Sequence, residues 1–265
     1  MSFISLNFVV LFACTFILYH TLPSRFRKAT LLTASCLFIG FYHLTFLITA
    51  LILTLTTFYL GKWIGQAKRE SGMKGIYFSG VCFLVVSWLA FRYADRLTNC
   101  HILFPLGISF YTFQAISYLT EIYWQEEEPE KSLPDFMIYM LFFMKFLSGP
   151  IERASDMLPQ LKSCKATDYT SMVYGMRLIV VGLIKKLILA DSIAPYIDGV
   201  FGSVYTASGV QLLMACLLYP IELYADFSGY TDIALGGARM LGFKLSPNFN
   251  RPFIAPVSYT HLRAH

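Results

Sequence analysis

Apolar runs long enough to cross a lipid bilayer recur along this chain, and short segments between them carry most of its charge. A membrane-crossing helix needs about 20 mainly apolar residues. SFISLNFVVLFACTFILYHTL, residues 2–22, supplies the first run and stops at Pro23. Ala29 to Tyr42 forms a second, short run, and His43 opens a third that continues to Trp63, so these two are expected to make a tight hairpin. Ile76 to Phe91 is a fourth span. The chain is 56% hydrophobic and only 14% charged, with a mean hydropathy of +0.58. That is too apolar for a soluble domain. The implied fold class is all-α, a polytopic helical integral membrane protein whose first partner is the lipid bilayer.

Basic residues gather at the span ends: Arg25, Arg27 and Lys28 in SRFRK, then Lys68, Arg69 and Lys74 in GQAKRESGMKG, with Lys62 at its edge. Both segments read as loops, and the positive-inside rule places them in the cytoplasm and the N-terminus outside. The net charge of +5 is therefore topological. It forms no basic stripe interleaved with aromatics, so nucleic acid is not an expected partner. Six cysteines, Cys14, Cys36, Cys82, Cys100, Cys164 and Cys216, are scattered without a CxxC pair and are expected to be free thiols. Met1 to Leu11 has no basic n-region and no small-x-small cleavage site follows, so the first span is expected to be retained.

Farther along, FPLGISFYTFQAISYLTEIYW contains Pro105, Gly107, Ser109, Thr112 and Gln114, the mark of a broken or protein-lined helix. QEEEPEKSLPD, with Glu126, Glu127, Glu128 and Glu130, reads as a solvated loop. Phe136 to Leu147 reads as a short, partly buried helix ending at Ser148-Gly149-Pro150, and IERASDMLPQLKSCKATD as an amphipathic segment at the membrane surface. Ser171 to Ala190 is helical, with Lys185 and Lys186 near a far end that snorkelling would make cytoplasmic. APYIDGVFGSVYTASG, beginning at Ala194 and containing Pro195, reads as a loop or re-entrant connection.

The stretch from Tyr219 to Arg251 places Glu222, Asp226, Asp232 and Arg239 in apolar surroundings, where charges are expensive unless paired or facing water. On a continuous helix Glu222, Asp226 and Tyr230 share one face by their i, i+4 spacing, and Asp232 points elsewhere. Two readings stand side by side. The row lines a cavity, or Asp226 and Asp232 pair with Arg239 or cap a helix broken near Ser228-Gly229. Ala225 and Gly229, then Ala234, Ala238 and Gly242, mark close helix packing. Gly242 also suits a helix end, and Ser246-Pro247-Asn248 the turn after it. Asn248, Asn250 and Arg251 either orient a substrate or satisfy irregular backbone. Lys185 and Lys186 either anchor a cytoplasmic end or attract an acidic carrier or phosphopantetheine. His20, His43 and His101 lie at span ends. His261 and His265 have helical spacing but lack the accompanying Glu, so no metal site is expected. Buried carboxylates on discontinuous helices also suit a transporter or channel, although no inverted internal symmetry accompanies them.

Four segments, PLGISFYTFQ (105–114), SGPIERASDMLPQLK (148–162), GLIKKLILADSIAPYIDGVF (182–201) and YADFSGYTDIALGGARMLGF with PNFNRPF (224–253), together and in this order resemble the membrane-bound O-acyltransferase family, in its bacterial branch of alginate O-acetylation proteins and teichoic acid D-alanyl transferases. The resemblance implies a helical fold around a tunnel in the bacterial plasma (inner) membrane. It also implies an acyl thioester donor, acyl carrier protein or coenzyme A, on the cytoplasmic side, and no tightly bound cofactor. The acceptor would be a hydroxyl of a cell-surface polysaccharide or polymer, with envelope acyltransfer proteins as further partners. A membrane-buried histidine would activate the hydroxyl, since the imidazole pKa of ~6.5 lies near working pH. In the family this histidine follows NFNRP within a tryptophan-rich basic stretch, whereas this chain reads PVSYTHLRAH after Ala255. The expectation is that residues 1–255 are the N-terminal and central part of one such domain, that 256–265 are a non-native tail, and that residues 1–265 alone are inactive. Glu222, Tyr224, Asp226, Ser228, Tyr230, Asp232, Asn248, Asn250, Arg251 and Gln114 are then the candidate tunnel-lining or scaffold residues.

Overall fold

The computed structural model describes residues 5–67, 69–98, 107–146, 149–150, 152–164 and 167–248, with the side chains of 94–98 set aside. Cys100, His101, Pro105, Ser148, Asn250, Arg251, His261, His265 and the stretch 256–265 lie outside the described residues. Every regular element among those described is helical. Three of them, Leu44–Gln66, Glu70–Tyr93 and Gly209–Met240, are long and apolar enough to cross a membrane. Large apolar side chains such as Phe41, Ile52, Phe78, Ile188 and Leu217 point outward. Such a surface is ordinary in lipid and a liability in water. The protein is an all-α polytopic membrane protein.

Helix α1 (Leu6–Thr21) starts where Ser5 Oγ accepts the Phe8 N–H, and it stops before Pro23. SRFRK is not a loop. It forms the first turn of α2 (Ser24–Tyr42), where Lys28 reaches Asp135 at 2.7 Å and Arg27 donates to the Cys164 carbonyl at 3.0 Å. The hairpin expected at His43 is present, with α3 at Leu44–Gln66. The basic segment after it is shorter than expected, because α4 (Glu70–Thr98) already begins at Glu70, which pairs with Lys74 one turn on.

Helix α5 (Ile108–Tyr123) opens on Gly107 at φ +74° and is protein-lined, with Tyr111, Gln114, Tyr118 and Leu119 buried. It packs on α6 (Leu133–Leu141), capped by Ser132. The helix expected to reach Leu147 ends at Leu141, yet Phe142, Phe143, Met144 and Phe146 stay buried. Irregular backbone this deep needs partners from side chains. Ser35 Oγ accepts the Phe143 N–H at 3.2 Å, Gln114 Nε2 donates to the Tyr139 carbonyl at 2.9 Å, and the Tyr139 hydroxyl donates to the Glu152 carbonyl at 3.0 Å. Aromatic contacts of Phe8 and Phe38 with Phe143, and of Tyr118 with Phe136, bind α1, α2 and α5 to this centre.

Helix α7 (Ala154–Ser163) is amphipathic as expected and buries Met157, Leu158 and Leu161. Glu130 departs from the solvated-loop expectation: it is buried, pairs with Lys162 at 2.7 Å and accepts the N–H groups of Lys131 and Ser132.

The C-terminal part is a pair of antiparallel rods. Helix α8 (Tyr169–Leu183) runs through a π-helical turn (Ile184–Ala190) into α9 (Asp191–Gly202), and α10 (Gly209–Met240) returns along it. The stretch expected to be a loop from Ala194 is therefore helix as far as Gly202. Pro195 removes one amide donor, but Ile197 and Val200 gain burial in exchange. Nor does α10 break at Ser228-Gly229. Its 32 residues extend roughly 48 Å at the α-helical rise. Here glycine serves approach: a Cβ on Gly182 would meet the Gly229 carbonyl at 2.6 Å, and one on Gly175 the Gly236 carbonyl at 2.6 Å. Helix α10 ends in a Schellman motif, with Gly242 at φ +88°, the Phe243 N–H donating to Ala238 and the Gly242 N–H to Arg239. Gly242 thus has the terminating role expected of it.

Gly182→Leu should lower stability by about 1–3 kcal/mol, the usual scale of overpacking. Gly199→Ala, where nothing lies within 4 Å, should not. Thermal unfolding in detergent compares them. A second expectation concerns pH. Burial opposes charge on Glu130, but Lys162 and the amides of Ser132 and Lys131 outweigh it and hold the carboxyl below its ordinary value. Such a group stabilises the fold while ionised, and its contribution drains as pH falls through the folded value. Glu130→Gln should melt earlier than the parent at neutral pH, and the gap should close on acidification below about pH 4.5, the ordinary carboxylate range.

Candidate functional site

Because glycines bring α8 and α10 together, lysines on the π turn reach carboxylates on α10. Lys185 Nζ lies 2.6 Å from Asp232, and Lys186 Nζ bridges Asp226 at 2.5 Å and Asp191 at 2.8 Å. Asp191 follows Lys186 by five residues, one turn of a π-helix. The wider turn also narrows the angle between consecutive side chains, so both lysines face α10. Lys186 sits 5.3 Å from the Tyr230 ring centroid and Lys185 6.0 Å from that of Tyr224. Glu222 lies within the electrostatic reach of Asp226, Lys186, Asp198 and Asp191. The side chain of Ser228 is buried beside this seam, and its hydroxyl has no hydrogen-bond partner among the described residues.

The partners of Asp226 and Asp232 are therefore lysines of the π turn, where the sequence suggested Arg239. The shared face of Asp226 and Tyr230, both turned to Lys186, follows the expected spacing. Lys185 and Lys186, expected at a span end, are each paired with a carboxylate of α10. His20 Nε2 and the Thr167 hydroxyl both bond the Met240 carbonyl, at 3.1 and 3.0 Å, so the start of α8 shares an end of the bundle with the SRFRK segment. The lysines lie about sixteen residues farther along, roughly 24 Å by helical rise, away from that basic end.

Beyond α10, residues 243–248 form a strap held at two points. Gln160 donates to the Lys244 carbonyl and accepts its N–H, at 3.0 and 2.8 Å, and Glu152 accepts the Ser246 N–H and hydroxyl. Asn248, at its end, is exposed. Gln114 takes no part in the ion pairs of the seam; its amide is engaged by the Tyr139 carbonyl. Two buried titratable side chains beneath the strap are not singled out by the sequence reading. Lys145 is 3% exposed, with its ammonium 4.4 Å from the Tyr139 ring, and Glu152 is 1% exposed. A lysine inside LFFMKF was the available signal. Among the described residues no three His, Cys, Asp or Glu side chains cluster as metal ligands, and five cysteines are free.

No protein-family model matches the chain. It is 33% identical over 274 residues to the probable alginate O-acetylase AlgI of Azotobacter vinelandii, an alignment covering 96% of this chain and 54% of that protein. A peptidoglycan O-acetyltransferase of Helicobacter pylori is 29% identical over 268 residues, covering 87% of this chain and 51% of that protein. A teichoic acid D-alanyltransferase of Bacillus subtilis is 29% identical over 152 residues, covering 57% and 38%. The chain thus spans about half the length of the curated relatives it matches most fully.

Asp232 is enclosed enough that losing its partner matters. Lys185→Met should cost on the order of 2 kcal/mol, less than a fully buried pair because Lys185 is part-exposed. Lys185→Met combined with Asp232→Leu should recover most of that loss. Melting of the two single variants and the double variant forms the cycle, and a double variant no better than Lys185→Met would contradict the pairing.

Proposed function

Because this chain belongs to the membrane-bound O-acyltransferase family, we propose that it is part of an enzyme that moves an acyl group from a thioester onto a hydroxyl of a cell-surface polysaccharide or polymer. The observation that carries this reading is the 33% identity, across 96% of the chain, to a probable alginate O-acetylase. Acetyl is the group that the O-acetylase relatives favour. Residues 1–255 are taken as one part of a helical membrane domain around a tunnel, in the bacterial plasma membrane with the N-terminus outside. The donor thioester, on acyl carrier protein or coenzyme A, approaches from the cytoplasm, and envelope acyltransfer proteins receive or present the polymer.

In this reaction the acceptor oxygen attacks the thioester carbonyl as its proton is withdrawn. The new C–O bond forms, the C–S bond breaks, and the thiol leaves protonated. A histidine with a pKa near neutrality suits both proton movements; the resemblance puts it outside residues 1–255. The carboxylates of this chain take another role. Asp226 and Asp232 are each held in an ion pair with a lysine ammonium of the π turn, so their carboxylate oxygens are already engaged. They are proposed as scaffold of the acyl-transfer chamber, together with Glu222, Tyr224, Ser228 and Tyr230. Asn248, Asn250 and Arg251 would lead from the strap toward the reacting groups, and Gln114 would support the chamber from α5.

The full-length protein, reconstituted with a radiolabelled acetyl thioester and polysaccharide, should place ester-linked label on the polymer. Label that crosses the membrane without ester formation would overturn the assignment in favour of transport. Asp226→Asn should leave a folded enzyme with reduced turnover but an unchanged pH profile, as a scaffold role requires.

A further inference from the structure

A cavity of about 350 Å³ lies where α8, the last turns of α10 and the strap meet, with Tyr174, Asp232, Arg239, Lys244 and Pro247 in its wall. Its charges do not cancel. Asp232 is already neutralised by Lys185 at 2.6 Å. Arg239 has no carboxylate within salt-bridge distance among the described residues, and its Nε is buried without a hydrogen-bond acceptor. A buried donor left unmade is destabilising, more so on a charged group. The guanidinium stands 5.7 Å from the Tyr174 ring centroid, a contact that orients its plane. Lys244 brings a second cation, and Gln160 fixes its backbone on both the N–H and the carbonyl. Two cations on a held frame thus share one cavity without a counter-charge.

We propose that this cavity binds a phosphate-type oxyanion, with Arg239 supplying the donor fork and Lys244 the second positive charge. The guanidinium fork matches two oxygens of the anion, and a tetrahedral group keeps further oxygens for an ammonium on another side. The cavity also lies at the basic end of the bundle, the end where Arg27 holds the Cys164 carbonyl and Lys162 holds Glu130. Two sources offer this chemistry there, the headgroup of an anionic phospholipid and a soluble phosphate ester. The inference stands on the cavity alone and does not depend on acyl transfer.

The test uses the full-length protein purified in a maltoside detergent, which carries no phosphate. Inorganic phosphate and glycerol phosphate are titrated calorimetrically, and retained phosphatidylglycerol is counted by native mass spectrometry. Saturable binding of the soluble probes marks a soluble ester as the source, and selective lipid retention marks the headgroup; either supports the site. In both arms Lys244→Gln, an exposed position that leaves the fold intact, should weaken binding about tenfold, and Arg239→Lys, which keeps charge but loses the fork, by a similar factor. Binding that is absent in both arms, or unchanged in Lys244→Gln, would overturn the proposal.

Discussion

Contact between α8 and α10 through four glycines is the interaction on which the polar part of this protein depends. Gly175 faces Gly236 and Gly182 faces Gly229, seven residues apart on both helices, so the antiparallel backbones touch at two levels. In lipid, helices gain little from burying apolar surface against each other, and close van der Waals packing takes its place. The separation this sets is what allows Lys185 and Lys186 to span to Asp232 and Asp226. A side chain at any of the four positions would push the rods apart and strand carboxylates in a medium that does not tolerate them.

The π turn and the strap extend that contact at its two ends. The π turn aims both lysines at α10 and links Lys186 forward to Asp191, so a local irregularity serves a tertiary pairing. At the other end the Schellman motif releases the chain at Gly242, and Gln160 and Glu152 catch it. The chain thereby arrives at Asn248 along a path fixed by two other elements. The same logic governs the centre of the bundle, where Ser35 accepts the Phe143 N–H, Gln114 donates to the Tyr139 carbonyl and the Tyr139 hydroxyl donates to the Glu152 carbonyl.

Much of the site was legible as composition and little of it as partnership. The spacing of Asp226 and Tyr230 correctly placed both on one face, and the small residues of α10 correctly announced close packing. Arg239 seemed the natural partner for the aspartates because it is near in sequence. Their actual partners, some forty residues away, can be identified only when the direction of α8 against α10 is known. The pairing of Lys185 and Lys186 with α10 is hidden for the same reason, since it depends on how α8 runs against α10. Pro195 and Gly199 made α9 look like a loop, and packing on α10 overrode that local preference.

The sequence by itself determined that this is a helical membrane protein, that its first helices break at Pro23 and at His43, and which family it resembles, because hydrophobic length, proline and glycine punctuation and ordered motifs are local properties of the chain. The tertiary structure decided which charges neutralise each other, what holds the strap after α10, and which cations among the described residues are left without a carboxylate. Those outcomes depend on the distances between segments remote in sequence, and the backbone separation allowed by Gly175, Gly182, Gly229 and Gly236 sets them.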